Sequence, residues 1–307
     1  MLSKYQFEKY PITNDGFAQS IPINKNSIWE YMNKYGFIVC NVLTTEECDQ
    51  SVKEYWDECN QLGNGHLNPD DPFTWKNENW PNPKHPFLAT HFTSTTQSFK
   101  NMVNPNIVQI YEILYKTNKI IPIIGVQSIK RPSIINGTIK PEWRVQPLKL
   151  HWDRDTELEY TAYPDRYAGT IALVDCGYDV GSFVGVPNSA NIVKENPELW
   201  LEANQGKYVT KGDKSGLLFK HAQQIPLKKG DMVIWNIATA HANYMTTYAT
   251  KPRINHYFTY IPAQKWGRQL CKRNAIDYVK SHPEFKKKLN QHQWTNREQQ
   301  LLGLKKY

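Results

Sequence analysis

The sequence predicts an α+β fold with a mainly β core, a sandwich or jelly roll braced by helices. Three observations point there. Residues 27–117 carry helix signals, residues 120–261 carry a series of short strand-like runs, and the composition turns helical and basic after Pro262. Ser27 is placed to cap a short helix bearing Ile28, Trp29 and Tyr31 and ending near Gly36. Residues 37–40 then read as a buried strand. Thr44 with Glu47 is a capping-box pattern that opens a helix through about Gln61, and Gly63-Asn64-Gly65 stops it. Residues 66–98 are loop-like, rich in Pro, Asn and aromatics, and read as either a lid or a packed surface loop. Ile107, Ile110, Tyr111 and Leu114 form a helical stripe.

Beyond Ile120 the periodicity changes to strands. Residues 120–129 are rich in Ile and Val, and further strands are expected at 147–153, 169–175, 182–186, 232–237, 241–246 and 253–261. This predicts one domain over 1–262, with its β core at about 120–262, followed by a helical extension over 263–307.

Bulk properties exclude several classes. Apolar residues make up 40% of the 307, enough for a sizeable core, yet no run of about 18 of them suggests a membrane span. The first ten residues do not read as a secretory leader. The five cysteines (Cys40, Cys48, Cys59, Cys176 and Cys271) are odd in number and include no CxxC, so a reducing, cytoplasmic compartment is expected. The net charge is +8, and residues 265–307 hold eleven Lys and Arg against three Asp and Glu, so the tail carries all of it. An anionic partner such as nucleic acid is therefore a question for the tail alone, where a solvated helical face is the plainer reading.

The chemistry centres on Leu148-Lys149-Leu150-His151-Trp152-Asp153. In a strand, residues two apart share a face, so His151 and Asp153 would project together. A His-x-Asp is weak by itself. With nine His and thirteen Asp in the chain, about 0.4 arises by chance. A third ligand is offered by His241, one strand beyond the Gly230-Asp231 turn. Two histidines and a carboxylate that leave positions open form the facial triad of non-haem iron(II) oxygenases. Twelve residues on, Arg253 shares a strand face with Asn255 and Tyr257. A guanidinium turned into an apolar core calls for an anion, and its planar fork suits a carboxylate.

Across roughly residues 28–262, the chain resembles the phytanoyl-CoA dioxygenase family of 2-oxoglutarate oxygenases. The likeness lies in Tyr35-Gly36-Phe37-Ile38-Val39 and the helix opened by Thr45-Glu46-Glu47, in His151-Trp152-Asp153, in the strand at 168–175, in Gly181-Ser182-Phe183-Val184-Gly185-Val186-Pro187-Asn188-Ser189, in the Gly230-Asp231 turn and in the spacing from His241 to Arg253. The resemblance implies a double-stranded β-helix (a cupin-like jelly roll) with N- and C-terminal helices packed around it. It implies Fe(II) held by His151, Asp153 and His241, and 2-oxoglutarate anchored by Arg253, with Gln127, Lys130 and Asn243 as further cosubstrate contacts. It implies O2 as oxidant, hydroxylation of a substrate C–H bond, and release of succinate and CO2, with no catalytic residue beyond the ligands.

Trp152, Trp75 and Trp80 are candidate substrate contacts, and Arg144, Lys149 and Arg154 would suit a small anionic substrate. The family commonly has Pro-Gly-Ser-His where this chain has Pro187-Asn188-Ser189-Ala190, which points to a different substrate. The carboxylate at Asp153 disfavours halogenation, for which the family's halogenases carry a small residue. Two alternatives stay open: a non-catalytic jelly-roll binding protein, and another metal-dependent enzyme using the same triad.

Overall fold

The computed structural model describes residues 7–82, 95–143, 150–153, 166–195, 217–264 and 274–307. Arg144, Lys149, Arg154, Cys271, the predicted strand residues 147–149 and part of the 66–98 loop lie outside them. In chain order the elements are α1 (Lys25–Tyr35), β1 (Phe37–Asn41), α2 (Thr45–Leu62), α3 (Thr96–Asn101), α4 (Pro105–Tyr115), β2 (Ile120–Lys130), β3 (Ile134–Ile135), β4 (Thr138–Ile139) and β5 (Tyr167–Ala172). They continue with β6 (Phe183–Gly185), α5 (Ser189–Glu195), α6 (Leu217–Lys220), β7 (Gln223–Ile225), β8 (Asp231–Asn236), β9 (His241–Asn243), β10 (Arg253–Pro262), α7 (Ala275–Ser281), α8 (Pro283–Leu289) and α9 (Asn296–Leu301). This is a mixed helix and sheet architecture with antiparallel pairing. Among the described residues no helix is long and apolar enough to cross a membrane.

The chain divides into two compact units. The first takes Met1–Asn41, Pro132–Ala168 and Asp175–Lys251, and the second takes Val42–Arg131, Gly169–Val174 and Pro252–Tyr307. In the first, α1 is capped by Asn24, whose Oδ1 accepts from the Ser27 N–H at 3.0 Å. Ser27 is thus inside the helix and not its cap. An Asn three residues earlier reaches the same orphan donor. Gly36 closes α1 at φ 80°, and a Cβ there would meet Thr239 Oγ1 at 2.6 Å. Only glycine fits both constraints. β1 pairs antiparallel with β8, from Phe37 opposite Trp235 to Asn41 opposite Asp231. The Gly230-Asp231 turn forms as expected. Gly230 sits at φ 89°, and the Asp231 carboxylate accepts from Lys228 N–H and from Asn41 Nδ2. Burial raises the Asp231 pKa. A three-stranded sheet in the order β7–β6–β9 completes the frame, with Gly185 opposite His241 and Phe183 opposite Asn243.

In the second unit α2 carries the expected capping box, with Thr44 and Glu47 bonded reciprocally. Its buried positions Cys48, Ser51, Tyr55 and Cys59 recur at helical spacing. Thr44→Ala is expected to lower stability by about 1 kcal/mol in a urea melt. α4 buries the predicted stripe. β10 pairs with β2, Arg253 opposite Lys130 and His256 opposite Gln127, with a bulge between Tyr257 and Thr259. β10 also pairs with β5, His256 opposite Ile171. The loop after α2 folds into two 3-10 turns, Pro72–Thr74 and Asn77–Asn79. The C-terminal helices belong to this unit, where Phe285 packs edge-on against Phe99 and Tyr278. Lys286, Lys287 and Lys288 stay exposed.

Candidate metal centre

Three side chains converge in the first unit. One ligating atom each from His151, Asp153 and His241 lies within 4.8 Å of the others, the one such cluster of potential metal ligands among the described residues. His151 Nε2 is 3.7 Å from Asp153 Oδ1, and His241 Nε2 is 3.4 Å from Asp153 Oδ2. These separations exceed an ordinary hydrogen bond. They suit groups arranged around a shared ion.

The backbone that brings them together differs from the sequence reading. The described part of 147–153 is not a strand. His151 makes a single antiparallel bridge to His241, with both N–H to O=C bonds formed, at 2.8 and 2.9 Å. Directly opposed residues share a face, so the bridge sets the two imidazoles side by side, with ring centroids 4.4 Å apart. Asp153 follows two residues later, beyond the bridge, and still reaches the cluster.

His241 is the most constrained ligand. Its chain arrives through a turn in which Gly36 O accepts from Asn236 N–H and from the Thr239 hydroxyl, while the Ser189 hydroxyl accepts from Ala240 N–H. Its Nδ1 lies 3.0 Å from Thr239 O. With the ring neutral this bond places the proton on Nδ1 and leaves the Nε2 lone pair for the cluster. Burial pushes its pKa down to about 4, with the neighbouring Asp153 opposing and His151 adding to the shift. A neutral imidazole is the form that ligates. Phe183 stacks 5.6 Å from it, and Trp235 lies 4.8 Å away on another side.

Trp235 is a residue that sequence reasoning missed. Its indole Nε1–H donates to Asp153 Oδ2 at 3.0 Å. The only hint in the sequence is a Trp on the strand after Gly230-Asp231, where packing explains it equally well. Trp152 is buried in an apolar cluster with Leu150, Val184, Val186, Ala240 and Ala242. Asn243 lies two residues along β9 from His241, on the same face and half-buried.

The remaining candidates sit in the second unit. Arg253 is fully buried, and Lys130, directly opposite it on β2, shares its face. Gln127 does not. It pairs with His256, so it points to the opposite side of the sheet. Neither amide atom of Gln127 nor either ring nitrogen of His256 makes a hydrogen bond among the described residues. Trp75 and Trp80 are both buried. They pack on Trp56 at 5.2 and 5.6 Å, their indole N–H groups donate to Asn68 O and Trp75 O, and Arg131 caps the cluster through Trp75 O and Asn77 Oδ1.

His256 carries a pH-dependent expectation. Burial pushes its pKa down to about 3. A histidine is ordinarily half-protonated near 6.5, so below that pH the unfolded chain binds a proton that the native chain refuses. Stability is therefore complete above about pH 6.5 and declines as pH falls toward 3, by at most about 1.4 kcal/mol per pH unit. Urea unfolding at pH 7.0 and 5.5 is expected to show roughly 1 kcal/mol more loss in the wild type than in His256→Met. Equal losses would rule out a neutral buried His256.

No family model matches the chain. A Dictyostelium discoideum protein named "Putative phytanoyl-CoA dioxygenase" is 22% identical over 316 residues, which cover 90% of this chain and 86% of that one. The resemblance to the phytanoyl-CoA dioxygenases holds. GlcNAc Inducible Gene 2, GIG2, from Candida albicans shares the fold, with a TM-score of 0.64 and 13% identity over 94% of this chain and 77% of that chain. A looser likeness, with a TM-score of 0.48 and 15% identity over 79% of this chain and 87% of that one, is to SnoK, described as a non-heme alpha ketoglutarate dependent carbocyclase from nogalamycin biosynthesis.

Proposed function

We propose that this chain is an Fe(II)- and 2-oxoglutarate-dependent dioxygenase, built on a jelly-roll core, that hydroxylates a C–H bond of a small-molecule substrate. The observation that carries the reading is the convergence of His151, Asp153 and His241 within 4.8 Å. Two imidazoles and one carboxylate suit a divalent iron and leave positions for other ligands. Bound iron with 2-oxoglutarate and O2 would supply the oxidising chemistry, releasing succinate and CO2.

The chain's own residues do the positioning. His241, locked by Thr239 O, offers Nε2. His151 is held beside it by the bridge, and Asp153 supplies the negative charge that balances the cation. Arg253 is assigned the second carboxylate of 2-oxoglutarate, with Lys130 on its face as a further cosubstrate contact. Its guanidinium stays charged at any working pH and binds a carboxylate through two parallel donors. The apolar cluster around Trp152 packs behind the segments that carry His151 and His241.

The test is anaerobic reconstitution with Fe(II) and 2-oxoglutarate, read by the visible charge-transfer band of the chelated cosubstrate. The band is expected in the wild type, absent in His151→Ala and weakened at least about tenfold in apparent affinity in Arg253→Ala. A folded, iron-loaded protein with no band at millimolar cosubstrate would overturn the assignment.

A further inference from the structure

We infer that Trp235 is a positioning residue for the metal centre, its indole N–H holding Oδ2 of Asp153 and so setting the orientation in which the carboxylate faces the two histidines. This rests on the metal-site reading above and assigns a residue to it. Among the described residues, Asp153 lies just past the single bridge that fixes His151. The terminal torsion of a carboxylate is soft, so the bonds it accepts set its orientation. Rotated one way it binds an ion through both oxygens and fills a position the chemistry needs open. Rotated the other way it leaves the ion.

Trp235 supplies one such bond. Its Nε1–H lies 3.0 Å from Oδ2, which also faces His241 Nε2 at 3.4 Å, while Oδ1 faces His151 Nε2 at 3.7 Å. An indole is a donor only, so it restrains the carboxylate without competing for the metal. The indole is itself rigidly placed. Trp235 is opposite Phe37 in the β1–β8 ladder, is 4% exposed, and packs on Phe183 at 5.0 Å and on His241 at 4.8 Å. One side chain thus orients the carboxylate and packs against the ring of a second ligand. Partners of this kind typically change metal affinity by about 10–100-fold.

Trp235→Phe deletes the N–H and keeps most of the ring. The full-length apo protein is titrated with Co(II), and its visible ligand-field bands are followed. Trp235→Phe is expected to bind Co(II) about 10–100-fold more weakly, with altered band intensities, while the apo melting temperature stays close to that of the wild type. Wild-type affinity and bands in that variant would overturn the role and leave the metal centre standing. A folded wild type that binds no Co(II) would overturn both. A second readout does not depend on Trp235→Phe folding. In 15N-labelled protein the Trp235 indole proton is expected to be slow to exchange, and to move upfield and exchange faster in Asp153→Ala. An unchanged resonance would overturn the role.

Discussion

Replacing His241 with alanine is expected to weaken Fe(II) binding by more than about a hundredfold, beyond the range seen when a partner of a ligand is lost. Succinate formation from 2-oxoglutarate should then fall to background. The same change removes a buried ring between Phe183 and Trp235 and the bond to Thr239 O, so the apo protein should also lose roughly 1–3 kcal/mol. Equilibrium dialysis of anaerobic Fe(II) separates the two effects, because a folded variant reports binding directly. Near-normal metal binding and turnover in His241→Ala would show that the cluster is not the centre. His151, with 23% of its side chain exposed against 2% for His241, should give the same loss of metal with a smaller loss of stability when changed to alanine.

The other large effect lies away from the chemistry. Trp80→Ala is expected to destabilise the protein by about 3–5 kcal/mol. Trp80 is 1% exposed, packs on Trp56, donates its N–H to Trp75 O and lies under the Arg131 guanidinium. Trp80→Phe keeps much of the ring and should lose considerably less. Were Trp80 a wall of the substrate site, truncation would raise KM and leave the melting curve nearly unchanged. Chemical denaturation of the two variants beside the wild type decides between these roles.

The three residues that converge could be picked out in the sequence because their signal is local and resembles a known family's. His151-x-Asp153, the Gly230-Asp231 turn and the spacing from His241 to Arg253 each lie within a short stretch. The capping box at Thr44 and Glu47 and the stripe of α4 were legible for the same reason. What stayed hidden depends on pairing. Gln127 and Lys130 are three residues apart on one strand, and no pattern says which shares a face with Arg253 until the register with β10 is set. Likewise the bond from Trp235 to Asp153 joins residues 82 positions apart. The aromatics at 75 and 80 read equally as a lid or as a packed surface loop, because their loop has no clear periodicity in sequence. Their indole N–H groups find partners within that loop, which lets both rings go inside.

The interleaving of the two units bears on how the protein can be made. Each unit is assembled from three separated stretches of chain, and β1 finds its partner only when β8 has been synthesised, Phe37 waiting for Trp235. At about 5–20 residues per second of translation that interval is roughly 10–40 s. During it, β1 stands as an unpaired apolar edge on the nascent chain. Chaperone demand in the cell and slow refolding from denaturant are the expected consequences. A single cut between the units is not an option for crystallographers or engineers, because no one bond separates them.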